Sequence, residues 1–226
     1  MIYYLGDSHT AGIPSIEESP IDYKHITYPK YLSEMIKMNY INLGIPGSNL
    51  VNNVNIFLEN IKDIMANAKI VFFQFQHFQN AYFRFDEENF QWKDLVARDD
   101  DVLDSLKLFN LTEDDKYILV SYLNKFEERR SWYEMQKVYS LFNQLELCGI
   151  KCYALYWTPP KIIKIIDDKR NIIFNNNIKF VNQLGLTSIN DETNGKWVDM
   201  HTGTEGNKKL ASFIYQFMKQ IKDDYN

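Results

Sequence analysis

The chain has few of the residues that mark several classes of protein. It contains only two cysteines, Cys148 and Cys152, which cannot form a disulfide framework and whose spacing does not match a zinc site. No apolar run approaches the roughly 20 residues that span a bilayer. An apolar segment that predicts a strand follows Met1 directly, so no signal peptide is expected. These absences favour a cytoplasmic protein with buried free thiols and no membrane partner.

Positive charge is also in short supply. The 25 Lys and Arg residues are outnumbered by 30 Asp and Glu residues, and the formal net charge is −5. This balance disfavours nucleic acid as a partner, because a phosphate backbone is bound mainly by Lys and Arg. The length and the ordinary apolar content predict a single domain over 1–226. We expect a solvated helical insertion at about 82–130, which could alternatively form a lid over the site.

Segments with strand character alternate with segments of helical periodicity along the chain. Apolar runs predict strands at 2–5, 40–43, 70–75 and 150–157, and helical spacing predicts helices near 31–38, 50–64, 132–145 and 210–221. This alternation predicts an α/β fold, a three-layer α/β/α sandwich with a mainly parallel central sheet. Ligands bind at the carboxyl ends of the strands in such sheets, so the functional site is expected there.

A serine follows the first predicted strand. The strand ends at Gly6, and Asp7 and Ser8 come next. A serine between a strand and a helix has its hydroxyl at the edge of the sheet, where backbone N–H groups point into the same space. A nucleophile and an oxyanion hole require this arrangement. Gly-Asp-Ser is also ordinary turn chemistry, so this block by itself leaves both interpretations open.

The C-terminal region contains a histidine with an acid beside it. His201 lies just before the terminal helix and two residues after Asp199, and alternate residues of an extended segment point the same way. A histidine oriented by a carboxylate can activate a serine, although a surface pair is the alternative interpretation. Thr202 and Glu205 predict a capping box at the start of the terminal helix.

Three short blocks together resemble the GDSL, or SGNH, hydrolases. They are Gly6-Asp7-Ser8, the segment 42–49 (Asn-Leu-Gly-Ile-Pro-Gly-Ser-Asn) and Asp199-Met200-His201. The resemblance implies a flavodoxin-like SGNH fold with Ser8 as nucleophile, His201 as base and Asp199 as the partner of that base. It also implies an oxyanion hole that includes the N–H groups of Ser8 and Gly47.

The chain departs from the family pattern in two places. The family usually has Asp three residues before His, where this chain has Val198, and Asp199 lies one residue closer. The family's Gly-x-Asn-Asp block after the third strand is replaced by Gln-His-Phe-Gln-Asn, without a glycine. The oxyanion-hole carboxamide could come from Gln76, Gln79 or Asn80, with Gln76 slightly favoured, or this donor could be missing.

The resemblance implies a serine esterase that cleaves a carboxylic ester of a small molecule or glycan through an acyl-enzyme on Ser8. One alternative is an O-acetyltransferase that passes the same acyl group to a sugar hydroxyl. A second is a non-catalytic binding or structural protein on the same scaffold, which would account for the departure in the third block. No metal or organic cofactor is implied, and the sequence gives no indication of the oligomeric state.

Overall fold

The computed structural model describes residues 1–12, 26–75, 81–86, 91–96, 113–156, 168–173, 186–187, 189–192 and 201–223. Its strands are β1 (Ile2–Leu5), β2 (Tyr40–Asn42), β3 (Ile70–Phe75), β4 (Ala81–Asp86), β5 (Gln91–Val96), β6 (Lys151–Tyr156) and β7 (Asn171–Ile173). Its helices are α1 (Ser8–Ala11), α2 (Tyr28–Ile36), α3 (Leu50–Glu59), α4 (Ile61–Asn67), α5 (Glu113–Leu147), α6 (Ile189–Glu192) and α7 (Thr204–Asp223). Within the described part of the chain, no helix is both long enough and apolar enough to cross a membrane.

Five strands form one parallel sheet in the order β2-β1-β3-β6-β7. The chain moves from β1 to one side to form β2 and then crosses to the other side to form β3. Open parallel sheets bind ligands where the strand order reverses in this way, and the order itself is the flavodoxin-like one. The predicted α/β sandwich with a parallel central sheet is therefore confirmed.

The side chains of the sheet alternate between two apolar cores. In β1, Tyr3 and Leu5 pack with residues of α3, α4 and α5, whereas Ile2 and Tyr4 pack with residues of α2 and α7. All four side chains are buried. This alternation follows from the two-residue period of a strand. Because both faces of the sheet are covered, β1 and β3 appear in the sequence as continuous apolar runs.

The structure differs from the sequence-based expectations in one helix, in the insertion at about 82–130 and in the burial of one cysteine. The helix predicted over 50–64 is divided into α3 and α4 at Asn60, whose Nδ2 donates to Ile56 O at 2.8 Å in a side-chain bond that competes with regular helix geometry. The helical insertion predicted at about 82–130 is corrected in its first part, where β4 and β5 pair antiparallel. Aromatic residues in these segments favour strands.

The two cysteines differ in exposure. Cys152 is buried as predicted, but Cys148 is exposed at the end of α5.

Arg170 ties the edge strand β7 to helix α5. Its guanidinium donates to Asp168 Oδ1 at 2.7 Å and reaches Asn143 Oδ1 and Glu146 Oε2 on α5 at 3.0 and 3.3 Å. The guanidinium carbon also lies 5.4 Å from the centre of the Tyr139 ring. Partial burial raises the pKa of Asp168, but the hydrogen bonds and charge of Arg170 outweigh burial and hold that pKa below its usual range.

Replacing Arg170 with Met should lower the free energy of unfolding by about 3 kcal/mol at pH 7, because it leaves the Asp168 carboxylate without its charged partner. A carboxyl whose pKa is lower in the folded state stabilises the protein above its unfolded pKa, about 3.9, and this contribution is lost as the pH falls through the folded pKa. The difference between wild type and Arg170→Met should therefore shrink below about pH 4. Urea denaturation across pH measures both effects.

The exposed cation Lys151 on β6 offers a control for this experiment. Lys151→Met also removes a positive charge, yet it should change the free energy of unfolding by less than about 0.5 kcal/mol. Equal destabilisation by the two substitutions would show that the contacts of Arg170 contribute nothing specific.

Candidate active site

Strand β1 leads into a short turn that carries Ser8, which we call the Ser8 turn (residues 6–12). Asp7 caps helix α1, because its Oδ1 accepts the His9 N–H at 2.9 Å, and Asp is among the best N-cap residues. The Asp7 carbonyl accepts the N–H groups of Thr10 and Ala11 at 3.0 and 2.8 Å. Ser8 is half-buried at the carboxyl edge of the sheet.

Gly6 lets the Ser8 turn lie directly against strand β3. A Cβ atom at this position would lie 2.3 Å from Thr10 Oγ1 and 2.7 Å from Gln74 Oε1. Both distances are well inside van der Waals contact, so any side chain would push the turn away from the strand. The glycine is required here because backbone and side chains approach too closely for a Cβ.

His201 and Ser8 are in contact although 193 residues separate them in sequence. The distance between His201 Nε2 and Ser8 Oγ is 2.6 Å. The His9 ring packs beside the His201 ring, with centroids 4.9 Å apart and planes tilted by 32°. An imidazole nitrogen within hydrogen-bond reach of a serine hydroxyl is placed to accept its proton. The structure thus brings together two of the predicted site residues.

Hydrogen bonds hold the loop that carries His201. The Ile189 N–H donates to the carbonyl oxygen of His201 at 3.0 Å, and the Gly203 N–H donates to Thr187 O at 2.8 Å. Asn207, on the first turn of α7, donates from Nδ2 to Gly203 O at 3.0 Å. The backbone from the histidine carbonyl to Gly203 is therefore fixed to neighbouring elements.

The capping box predicted for Thr202 and Glu205 is not formed. Instead, Glu192 Oε1 on α6 accepts the Glu205 N–H at 2.9 Å, and Thr202 Oγ1 is buried with no hydrogen-bond partner among the described residues. A carboxylate near the first turn of α7 also interacts favourably with the helix dipole. No local pattern predicts this cap, because Glu192 lies 13 residues before its partner.

The first residue of α2 connects the Ser8 turn to the His201 loop. Tyr28 Oη lies 3.0 Å from Thr10 Oγ1, and the Tyr28 N–H donates to Asn207 Oδ1 at 2.9 Å. Burial raises the pKa of the Tyr28 phenol above its ordinary value, and this outweighs the opposite effect of its hydrogen bond with Thr10. The phenol is therefore neutral near pH 7 and able to donate. Sequence reasoning missed both Tyr28 and Asn207.

Gly47 lies in a turn after β2. The Ser48 N–H donates to Ile45 O at 3.1 Å, and Gly47 has a φ of 73°. With Pro46 before it, Gly47 occupies the third position of a type II turn, which requires a positive φ. The Ile45 N–H donates to Gly6 O at 3.0 Å, so this turn is hydrogen-bonded to the first residue of the Ser8 turn.

The remaining predicted site residues are Asp199, Gln76, Gln79 and Asn80, and all four lie outside the described residues. Beside Ser8 and His201 there is a small pocket that is also lined by Thr27 and Ile189. Within the described ranges, no three His, Cys, Asp or Glu side chains are grouped as metal ligands. The described arrangement therefore places a serine hydroxyl and its imidazole partner beside a small pocket.

No protein-family model matches the chain, and no curated protein does either. Solved structures of similar fold include an acetyl xylan esterase from the rumen bacterium Butyrivibrio proteoclasticus. It is 8% identical, with a TM-score of 0.56 over 98% of this chain, which spans 64% of the esterase's length.

Two other solved structures align with lower TM-scores. A lipolytic protein of the G-D-S-L family from Desulfitobacterium hafniense DCB-2 is 10% identical, with a TM-score of 0.45 over 96% of this chain and 98% of its own. A catalytic mutant of an acetylxylan esterase from Geobacillus stearothermophilus is 14% identical, with a TM-score of 0.42 over 96% of this chain and 93% of its own.

The strand order and the similarity to the Butyrivibrio esterase agree with the resemblance seen in the sequence. Identity at this level speaks to the fold alone. The chain has the α/β/α fold of the GDSL, or SGNH, hydrolases.

Proposed function

We propose that the protein is a serine esterase that cleaves a carboxylic ester of a small molecule or glycan. The observation that carries this proposal is the 2.6 Å contact between Ser8 Oγ and His201 Nε2. A serine hydroxyl that is hydrogen-bonded to an imidazole at the ligand-binding edge of a parallel sheet has what nucleophilic catalysis needs. The acetyl xylan esterase of similar fold supports the ester class of the substrate.

In the first half of the proposed reaction, Ser8 Oγ attacks the ester carbonyl carbon while His201 Nε2 takes the hydroxyl proton. The carbonyl oxygen gains the negative charge, and the N–H groups of Ser8 and Gly47 donate to it. When the tetrahedral intermediate collapses, the C–O bond to the alcohol breaks and the imidazolium returns the proton to the leaving oxygen. An acyl group then remains on Ser8.

In the second half, water attacks the acyl carbon and His201 takes a proton from it. Collapse of the second intermediate breaks the bond to Ser8 Oγ, which receives the proton, and releases the carboxylic acid. Asp199 is proposed to accept a hydrogen bond from the other ring nitrogen of His201 and to stabilise the imidazolium. Such a carboxylate fixes the ring tautomer and its orientation.

A carboxamide from the segment after β3 is proposed as a further oxyanion donor. β3 pairs directly with β1 and ends at Phe75. The end of β3 therefore lies next to the Ser8 turn, which follows β1. Gln76 is favoured because it is nearest the strand end and its long side chain can cover the remaining reach, and Gln79 and Asn80 are the alternatives.

A fluorophosphonate probe should react with Ser8 and release fluoride, because such probes label activated serines whatever the natural substrate. We expect the intact mass to increase by one phosphonyl group in wild type and not in Ser8→Ala. His201→Ala should slow labelling and the hydrolysis of a short p-nitrophenyl ester by at least about 10³-fold. Circular dichroism checks that both variants remain folded.

Ser140→Ala is the matched control for Ser8→Ala, because Ser140 lies on an exposed position of α5 and should label as wild type does. Residual hydrolysis in Ser8→Ala above a tenth of wild type would contradict Ser8 as nucleophile. A folded wild-type protein that neither labels nor hydrolyses would instead support a binding or structural role.

The hydrolysis rate should rise with pH between about 5 and 8 and then level off, because a general base must be neutral to accept a proton. Initial rates with the p-nitrophenyl ester at low substrate concentration measure this profile. A rate independent of pH over this interval, with chemistry shown to limit the rate, would contradict the role of His201.

Alanine substitution at Gln76, Gln79 and Asn80, one at a time, should identify the proposed carboxamide donor. The variant that removes the donor should lose about 10²–10³-fold in kcat with little change in KM, because the donor acts mainly on the developing oxyanion. The other two variants serve as controls for the segment. Unchanged kcat in all three variants would leave the oxyanion hole with its backbone donors alone.

A further inference from the structure

Strand β3 carries one polar side chain in a run of apolar ones. Its sequence is Ile-Val-Phe-Phe-Gln-Phe, and Gln74 is completely buried. Burying a carboxamide without hydrogen bonds is unfavourable, so the amide of Gln74 needs partners inside the protein. The side chain lies under the Ser8 turn rather than in either apolar core.

Gln74 contacts the Ser8 turn on both sides of the serine. Its Nε2 donates to Asp7 Oδ1 at 2.8 Å, and its Oε1 accepts a hydrogen bond from Thr10 Oγ1. Asp7 Oδ1 is the same atom that accepts the His9 N–H. One buried carboxamide therefore bridges the residue before Ser8 and the residue two positions after it.

Only one assignment of donors and acceptors satisfies this network. A carboxylate only accepts, so the Gln74 amide must turn its NH₂ towards Asp7 and its oxygen towards Thr10. The Thr10 hydroxyl proton is then used by Gln74, and Tyr28, 3.0 Å away, must donate its phenolic proton to Thr10 Oγ1. Each of these donors has an acceptor, which is the condition under which buried polar networks rigidify a structure.

The close packing at Gly6 arises from the same two side chains. Thr10 Oγ1 and Gln74 Oε1 fill the space that a Cβ of residue 6 would occupy. On the other side of β1, Asn42 of β2 donates from Nδ2 to Thr10 O at 2.7 Å. Both strands next to β1 thus hold the Ser8 turn, Asn42 through a backbone carbonyl and Gln74 through the side chains of Asp7 and Thr10.

We propose that Gln74 is a positioning residue that fixes Ser8 Oγ against His201 by holding Asp7 and Thr10. This inference rests on the proposed esterase function. In the proposed reaction Gln74 contacts no reacting atom, and it acts through the geometry of the Ser8 turn. Small displacements of a nucleophile, on the order of 1 Å, can reduce rates about 10²-fold, so loss of the carboxamide should reduce kcat and leave KM nearly unchanged.

The central test compares Gln74→Met with wild type, because Met keeps most of the side-chain volume but has no amide. We expect the rate constant for labelling by a fluorophosphonate, and kcat for the p-nitrophenyl ester, to fall by about 10- to 100-fold. Thr10→Val, which removes only the hydroxyl partner, should fall in the same direction. Thr10→Ser, which restores the hydroxyl but loses a buried methyl group, should recover most of the lost rate.

A second readout does not depend on activity. Amide hydrogen exchange followed by mass spectrometry should show faster exchange in a peptide covering residues 6–12 in Gln74→Met, since the cap of α1 is loosened. Peptides from β6 and α5 should exchange as in wild type. This measurement separates the two proposals, because the turn can be tested even in a protein that does not label.

Ser33→Ala is the matched control for the loss of a buried hydrogen bond. Ser33 Oγ lies 3.0 Å from Tyr4 Oη in a buried pair, and among the described residues neither hydroxyl is hydrogen-bonded to the Ser8 turn. The variant should lose stability, measured as a lower Tm, but keep its labelling rate and its exchange in residues 6–12. It calibrates how far a general loss of stability affects the site.

The outcomes are distinct. Labelling and exchange in Gln74→Met equal to wild type, or a rate for Thr10→Ser as low as for Thr10→Val, would overturn the positioning role. Should Gln74→Met fail to fold, the Thr10 pair decides in the same way. A wild-type protein that does not label, together with faster exchange in residues 6–12 of Gln74→Met, would overturn the esterase proposal and leave the turn assignment standing.

Discussion

The described site depends on the close approach of two side chains to the backbone at Gly6. Thr10 and Gln74 occupy the volume where any other residue would carry its Cβ, and they hold the turn that presents Ser8. The constraint is steric and local, yet it joins two strands and a helix. The glycine before Asp-Ser is therefore needed for packing.

The parallel sheet supplies the rigid base for this turn. β1 is hydrogen-bonded to a neighbour on each edge and covered on each face, so its end has little freedom. Parallel strands bring their carboxyl ends to the same edge, which puts the Ser8 turn and the turn containing Gly47 side by side. Polar groups can lie at this edge because the two apolar cores cover the faces of the sheet and not its carboxyl edge.

Local patterns predicted much of the fold and part of the site. Apolar runs located β1 and β3, and helical spacing located α2 and α7, because these signals come from residues close in sequence. The Ser8–His201 pair followed from short blocks that carry recognisable chemistry. Local patterns did not predict the bridge from Gln74 to Asp7 or the cap from Glu192, since such contacts join residues that are distant along the chain and leave no periodic signal.

The contact between Ser8 and His201 also depends on how α2 packs against α7. Tyr28 touches the Ser8 turn with its hydroxyl and the first turn of α7 with its N–H. Asn207 uses both ends of its carboxamide there, accepting from Tyr28 and donating to carbonyls beside His201. Because buried polar groups need all their partners, a shift of α7 relative to α2 would break these bonds together. The two helices thus hold the serine and the histidine next to each other. The apolar core that they share, which includes Leu32 of α2 and Leu210 of α7, therefore supports the site.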